Sequence, residues 1–298
     1  MLPADPIALA LSTACGLALA GADYFRKAVP RSVPTAAVLF YFLAIQIPLL
    51  GLWLAVDRPA APNLGTAYWI PALCDVAASL VGNALFIVAV RRSPLIMVVP
   101  LLALIPVIAI ALGAALLGER PTPVQGAGIA LAAAGVFLLY LPAERFSPAA
   151  VWRNFRAEPG ALPMLAVAAS WALTAPLDKL AVAAAGVPVH GIIQVSLLWL
   201  LTGTWIAFRP GTSLALPPVA RLPIVAAGLC AGVSYGLQLA AYNLTLVSVV
   251  ESLKRVAEIG TTVLIGALIF RERVTAARAL GLALIACGVP LMLVPAGE

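Results

Sequence analysis

Ten apolar runs follow one another along the chain, at about residues 6–24, 33–56, 67–90, 95–117 and 123–141, then 160–182, 187–208, 221–247, 249–270 and 276–295. A helix that crosses the hydrocarbon core of a bilayer needs about 20 such residues. A transmembrane barrel would instead show alternating polarity over strands of about ten residues. These runs are continuous and rich in Ala and Leu, so they predict helices, which satisfy their own backbone in lipid. Composition agrees: 63% of the 298 residues are hydrophobic and 10% charged, against roughly 25% charged in soluble domains. Soluble globular, disordered and disulfide-stapled classes are excluded, and no length remains for a soluble catalytic head.

The longest polar stretch, Pro142 to Gly160, divides the runs into two sets of five. Residues 1–145 form a first repeat, 146–159 a connecting loop and 160–298 a second repeat, within one integrated domain. The end of the fourth run reads Leu-Leu-Gly-Glu119-Arg120-Pro-Thr122, and the end of the ninth reads Ile-Phe-Arg-Glu272-Arg273-Val-Thr275. Gly128 and Gly281 follow each Glu at the same interval, as do Gly135-Val136 and Gly288-Val289. Two copies of an odd number of spans must lie in opposite orientations. The expected fold is an all-α membrane protein of about ten transmembrane helices in two inverted five-helix repeats. Such folds carry a central site reached alternately from either side. Gly126, Gly128, Ala132 and Gly135, with Gly281 and Gly288, read as helix-packing seams.

Net charge is +6, but 13 of the 18 Lys and Arg residues, from Arg26 and Lys27 to Arg271, Arg273 and Arg278, sit in the loops after odd-numbered spans. The other loops hold Arg58, Arg120 and Lys179. Basic charge so distributed reports membrane orientation, not nucleic-acid binding. It places the richer loops in the cytoplasm and both termini outside a plasma (inner) membrane. The four cysteines fall in apolar runs and are expected to be buried free thiols, without metal spacing or a disulfide framework. The first run lacks a basic leader and continues into further spans, so no cleavable signal peptide is expected.

Glu251, Lys254, Arg255 and Glu258 lie inside the ninth span. At 100° per residue they occupy one face, within an arc of about 100°. Exposing any one of them to lipid costs at least roughly 2.5–3.5 kcal/mol, so this face looks inward. One reading is a neutral ladder, Glu251 to Arg255 and Lys254 to Glu258, that locks helices together. The other is a binding face, with Arg255 offering a planar fork and Lys254 a point charge to an anionic group. Asp75, Ser79 and Asn83 form a polar stripe on span three, and Tyr235, Gln238 and Tyr242 another on span eight. Both suit either a small polar ligand or interhelical hydrogen bonds. His190 is expected at the membrane interface without a role, Gln194 at a cavity wall, and Trp171 in packing. Asp23 and Asp178 are expected solvated or locally paired at span ends, with Lys179 a further cation at a cavity mouth.

Phosphate loops, zinc-protease pairs and serine-hydrolase elbows are missing. No metal-ligand cluster is evident in the sequence, and no cofactor is expected. With its ten spans, two halves and the Gly-Glu119-Arg and Arg-Glu272-Arg turns, the chain resembles the EamA family of the drug/metabolite transporter superfamily. The resemblance implies that spans one to four and six to nine line a cavity while five and ten are peripheral. From Asn243 to Val289, the order Ser252-Leu-Lys254-Arg255-Val256 and then Val274-Thr275 is similar to the triose-phosphate transporter branch. There the resemblance implies phosphate binding by Lys254 and Arg255. Glu251 and Glu258 flank the pair here, and its first-half counterparts, Leu101 and Leu102, are uncharged.

The sequence therefore predicts a non-enzymatic secondary transporter, an exporter, of a small anionic or zwitterionic metabolite. Lys254 and Arg255 would hold the anionic group, Tyr235, Gln238 and Tyr242 with Asn83 and Ser79 would orient the rest, and Glu258, Glu251 or Asp75 would take a proton or a substrate amine. Organophosphate exchange is one alternative, and a non-transporting membrane assembly or lipid-handling factor another. The expected partners are the metabolite and the bilayer, with no nucleic acid, in a monomer or homodimer. The superfamily resemblance implies both termini inside, the loop charge both outside. A reporter fused at the C-terminus is expected to report an extracytoplasmic location, and cytoplasmic activity would reverse the assignment.

Overall fold

The computed structural model describes residues 6–57, 62–105, 108, 122–139, 148–209, 211–244, 247–271, 275–291 and 294. Among the described residues the regular structure is wholly helical. The first half contains α1 (Pro6–Ala28), α2 (Thr35–Asp57) and α3 (Thr66–Arg92), then a short α4 (Leu95–Val98) continued by a 3₁₀ turn (Val99–Ala103), and α5 (Pro123–Leu139). After α6 (Pro148–Ala157) come α7 (Ala161–Ala185), α8 (Val187–Ala207), α9 (Pro218–Leu244), α10 (Val247–Leu268) and α11 (Ala276–Leu291). The Glu119-Arg120 and Glu272-Arg273 motifs, with Arg58, Glu144 and Arg145, lie outside the described residues.

Six helices, α1, α2, α3, α7, α8 and α9, are long and apolar enough to cross a membrane; the 23 residues of α1 rise about 34 Å. Ten were expected, and the difference has identifiable sources. α10 has 22 residues but carries four charged side chains. α5 and α11 are shorter, at 17 and 16 residues. About half of the fourth expected span lies outside the described residues. The long helices end where the backbone must: Ser93, before Pro94, takes an extended conformation (φ −136°, ψ 157°) after α3, as a residue preceding proline prefers. Gly186, with φ +82°, stops α7 and starts α8 at once, a conformation that suits a residue without Cβ.

Helices pack mainly across the halves: α1 on α9 and α10, α2 on α8 and α9, α3 on α7, and α5 on α11. The α5–α11 seam is close at Gly135, where a Cβ would lie 2.5 Å from the Gly281 carbonyl oxygen. Gly126 is not part of it, since nothing lies within 4 Å of its Cβ position. Apolar side chains including Leu52, Val56, Ile70, Phe208 and Leu222 are exposed on the outer surface, more than a water-soluble surface would carry. The chain is a multi-pass membrane protein.

One end of the bundle gathers the basic residues. Arg91 donates to the carbonyl oxygens of Pro30 at 2.9 Å and Val33 at 2.7 Å, and Lys27 donates to the Ser93 carbonyl. Ser93 Oγ donates to Glu158 and accepts from the Gly160 N–H at 2.8 Å. The end of α1 and the start of α7 thus meet at Ser93, so these two helices run in opposite directions. At the far end Asn63 N–H donates to the Ala184 carbonyl at 3.1 Å.

Four expectations need correction. The linker contains a helix, α6, whose Trp152 and Phe155 rings stack at 5.6 Å and whose Arg156 lies over Trp152, a composition suited to a membrane interface. Arg26, one of the thirteen loop cations, is instead buried in the last turn of α1. The cysteines are all free, but Cys74 and Cys287 are exposed on the protein surface. His190 and Asp178 are buried inside the bundle, whereas Asp23, buried as well, has the local pairing that was one of its two expected states.

Close approach governs α1 against α10. A Cβ on Gly16 would lie 2.8 Å from the Ala257 Cβ and 3.1 Å from the Glu258 backbone nitrogen. Gly16→Val is therefore expected to destabilise the protein by about 1–3 kcal/mol or more. Gly126→Ala should be neutral or stabilising by up to about 1 kcal/mol, the helix-propensity difference. Thermal unfolding in detergent compares the two, and equal shifts would contradict the close helix contact.

Candidate substrate cavity

A cavity of about 120 Å³ lies where α1, α2, α3, α7, α8, α9 and α10 converge. Seven residues expected at the site line it: Ser79, Asn83, Tyr235, Gln238, Glu251, Lys254 and Arg255. Asp75, Tyr242 and Glu258 lie behind the wall, all buried and bonded to lining residues. Arg26, Trp171, Asp178 and Gln194 also face the cavity, of which only Gln194 was anticipated there. None of the described residues that line it comes from α5 or α11, in keeping with the peripheral place the resemblance implies.

The four charges of α10 are at most 6% exposed and pair among themselves, though not as the ladder anticipated. Lys254 bonds to Glu251, and Arg255 Nη1 donates to Glu258 Oε2 at 2.5 Å. Arg255 Nε lies 3.6 Å from Glu251 Oε2, which is an ion-pair contact but too long for a hydrogen bond. The expected Lys254–Glu258 pair is replaced because α9 intervenes. Tyr242 Oη donates to Glu251 Oε1 at 2.7 Å, and Lys254 Nζ donates to Gln238 Oε1 at 2.6 Å. This draws Glu251 and Lys254 together and leaves Arg255 to Glu258, with its guanidinium 5.6 Å from the Trp171 ring centre. Glu251 Oε2, Arg255 Nε and Glu258 Oε1 keep no hydrogen-bond partner, so part of the pair's capacity is unused.

Below this cluster lies an acidic one. Asp75 Oδ1 accepts from Ser79 Oγ at 3.3 Å, and Asn83 Nδ2 donates to the Ser79 carbonyl at 2.9 Å, which gives the predicted stripe down α3. Gln194 of α8 donates to Asp75 Oδ2. Asp178 Oδ1 pairs with His190 Nε2 at 2.9 Å and accepts from Tyr235 Oη at 3.0 Å, while Gln238 Nε2 reaches Asp178 Oδ2 at 3.4 Å. Tyr68 Oη lies 3.4 Å from His190 Nδ1. Asp75, Asp178 and His190 each bring a ligand atom within 4.8 Å of the others, close enough to share an ion. Both oxygens of each carboxyl group and both ring nitrogens have hydrogen-bond partners in this arrangement.

Sequence reasoning set aside Asp178 and His190 because both fall near span ends. The Gly186 turn folds α8 back on α7 and brings His190 onto Asp178, twelve positions earlier. A glycine between two apolar runs was the available signal. Arg26 was also misread; it pairs with Asp23 at 2.6 Å, and its guanidinium lies 3.9 Å from the Phe86 ring centre and 5.1 Å from that of Phe42. Such aromatic faces stabilise a cation removed from water.

A polar cavity buried among membrane-crossing helices defines a class, the multi-pass membrane proteins with an internal polar site. Residues 6–141 match the family described as the EamA-like transporter family, the family that the sequence resembles. The whole fold is similar to a solved structure titled "Crystal structure of protein", with a TM-score of 0.66 over 95% of each chain at 18% identity. No curated protein matches the sequence. Over its first half the chain is therefore similar to membrane transporters of the drug/metabolite type.

The α10 pairs set a stability test. Arg255→Ala leaves Glu258 buried without its partner and is expected to cost about 3–5 kcal/mol. Combining Arg255→Met with Glu258→Leu should recover most of this. Unfolding in detergent reads both, and a double variant no more stable than Arg255→Ala would contradict the pairing.

Proposed function

We propose that this protein is a secondary active transporter that exports a small anionic or zwitterionic metabolite by alternating access, coupled to protons. The observation that carries this reading is the Lys254–Arg255 pair at the wall of a small polar cavity, inside a bundle whose outer surface is apolar. At rest Glu251 and Glu258 neutralise the two cations. An anionic group entering the cavity competes for Arg255 through its unpartnered Nε and for Lys254 by replacing Gln238. Tyr235, Gln238, Ser79 and Asn83 supply hydrogen bonds that orient the remainder, and Tyr242 holds Glu251. Glu251, Glu258 and Asp75 are the acids available to a proton or a substrate amine.

Alternating access needs two related halves. The reading of residues 1–145 and 160–298 as inverted repeats around the connector 146–159 is supported by matching features. α3 and α9 each have 27 residues with a proline at the sixth, Pro71 and Pro223. The α1–α9 contact has its counterpart in α7–α3, and α1–α10 in the contact of α7 with the 3₁₀ turn. The protein would reside in the plasma (inner) membrane with extracytoplasmic termini, as a monomer or homodimer. Organophosphate exchange is the second reading, favoured by two adjacent cations, Lys254 and Arg255, at one cavity wall.

Purified protein in liposomes separates these readings, once a metabolite that raises its thermal stability has been chosen. Proton-coupled export predicts flux driven by an imposed pH gradient, whereas exchange requires substrate on both sides. Lys254→Ala and Arg255→Ala are each expected to lower kcat/KM by about 10–100-fold, the loss of one charge-assisted hydrogen bond. Normal rates in both variants would leave the charges of α10 a structural lock and refute the anion site.

A further inference from the structure

We propose that Asp75, Asp178 and His190 form a proton-binding centre, and that the Gln238 side chain relays its charge state to the Lys254–Arg255 pair. This deepens the transport reading above and rests on it for its purpose, while the centre itself stands on geometry.

The two carboxyl groups come from facing helices, α3 and α7, and are buried with 0% and 2% exposure. Their oxygens and a ring nitrogen of His190 lie within 4.8 Å of one another. The hydrogen-bond donors that reach these oxygens are Ser79, Gln194, Tyr235, Gln238 and His190. All but the imidazole are neutral. Two carboxylates so close in a low-dielectric interior do not both stay ionised with a neutral imidazole beside them. The set holds a proton as a unit, on one or other of the two carboxyl groups.

Gln194 points to the same chemistry from another side. Its Nε2 donates to Asp75 Oδ2, while its Oε1 is buried with no partner. Turning this amide over would direct Oε1 at Asp75, an arrangement satisfied only when Asp75 carries a proton to donate. One amide therefore fits either state of the acid, leaving a different group unsatisfied in each.

Gln238 connects this centre with the cations. Its Oε1 accepts from Lys254 Nζ at 2.6 Å and its Nε2 reaches Asp178 Oδ2 at 3.4 Å. That orientation serves an ammonium on one side and a carboxylate on the other. Neutralising Asp178 weakens one of these two anchors, and drawing Lys254 toward a bound anion removes the other. The state of each end is thereby felt at the other. Asp178 and Gln238 both line the cavity, which places the centre beside the space a substrate would enter.

The surroundings of the centre are specified from every side. α3 adds Tyr68 on His190, and α7 adds the half-buried Lys179 next to Asp178. α9 supplies Tyr235 and Tyr242, and α10 supplies Glu251, Lys254, Arg255 and Glu258. α1 contributes Cys15 and the Asp23–Arg26 pair. α8 carries His190 and Gln194 but no Asp, Glu, Lys or Arg, and α2 brings Gln46 to the cavity wall.

Infrared titration of the purified protein in detergent, without substrate, tests this directly through the carbonyl band of protonated carboxyl groups. The wild type is expected to show a band that titrates with pH. Asp75→Asn and Asp178→Asn should each abolish that titration or displace it. Gln238→Leu should move its midpoint by about one pH unit, a tenfold change in proton affinity. If Asp178→Asn does not fold, His190→Gln and Tyr235→Phe read the same band with both carboxyl groups in place and should displace it. A wild-type band that does not titrate, or one that titrates identically in all carboxyl and His190 variants, overturns the centre. An unmoved midpoint in Gln238→Leu overturns the relay. The transport reading fails separately: normal flux in Lys254→Ala and Arg255→Ala refutes the anion site even where the titration stands as expected.

Discussion

Charge buried at membrane depth must be met by charge or by hydrogen bonds, and the arrangement of this protein follows from that constraint. A single ion facing lipid costs several kcal/mol, while an ion inside the bundle needs a partner within reach. The chain places a few ionisable groups among helices that are otherwise apolar, so those helices must pack with these groups turned inward. Glu251, Lys254, Arg255 and Glu258 satisfy one another along a single helix. Asp23 and Arg26 do the same at the end of α1. Asp75 and Asp178 have mainly neutral donors, and this difference sets them apart from the paired charges.

Packing across the halves makes such an arrangement possible. α3 of the first half lies on α7 of the second, which brings Asp75 beside Asp178 although they are far apart in sequence. α1 lies on α9 and α10, with Gly16 letting the backbones approach. α9, between them, carries Tyr235, Gln238 and Tyr242 on one face and so touches both clusters. The cavity is the space these three contacts leave. α9 supplies the side chains, Tyr235, Gln238 and Tyr242, that bridge the cavity's acidic and cationic parts.

Much of the fold was legible in the sequence, because apolar length and continuity are local properties that the bilayer selects. The positions of α1, α2, α3, α7, α8 and α9 follow directly from the runs. The inward face of α10 was legible too, since 100° per residue puts its four charges on one side. The partners of those charges were not legible. Whether Lys254 turns to Glu251 or Glu258 depends on Tyr242 and Gln238 from another helix, and no spacing within α10 contains that information. His190 and Asp178 escaped for a related reason: each looked like a residue at a span end, and only the turn at Gly186 stacks them.

The sequence by itself determined that this is a helical membrane protein, which residues carry charge into the bilayer, and which face of α10 must avoid lipid. Those outcomes depend on hydrophobicity and helical periodicity, which act over a few turns. The tertiary structure alone decided that the charges gather around one cavity, that Asp178 and His190 belong to it, and that Gln238 lies between the acids and the cations. Each of these is a contact between helices distant in sequence. Its energy depends on a separation of a few ångströms, which is set by how seven helices pack together and not by any one of them.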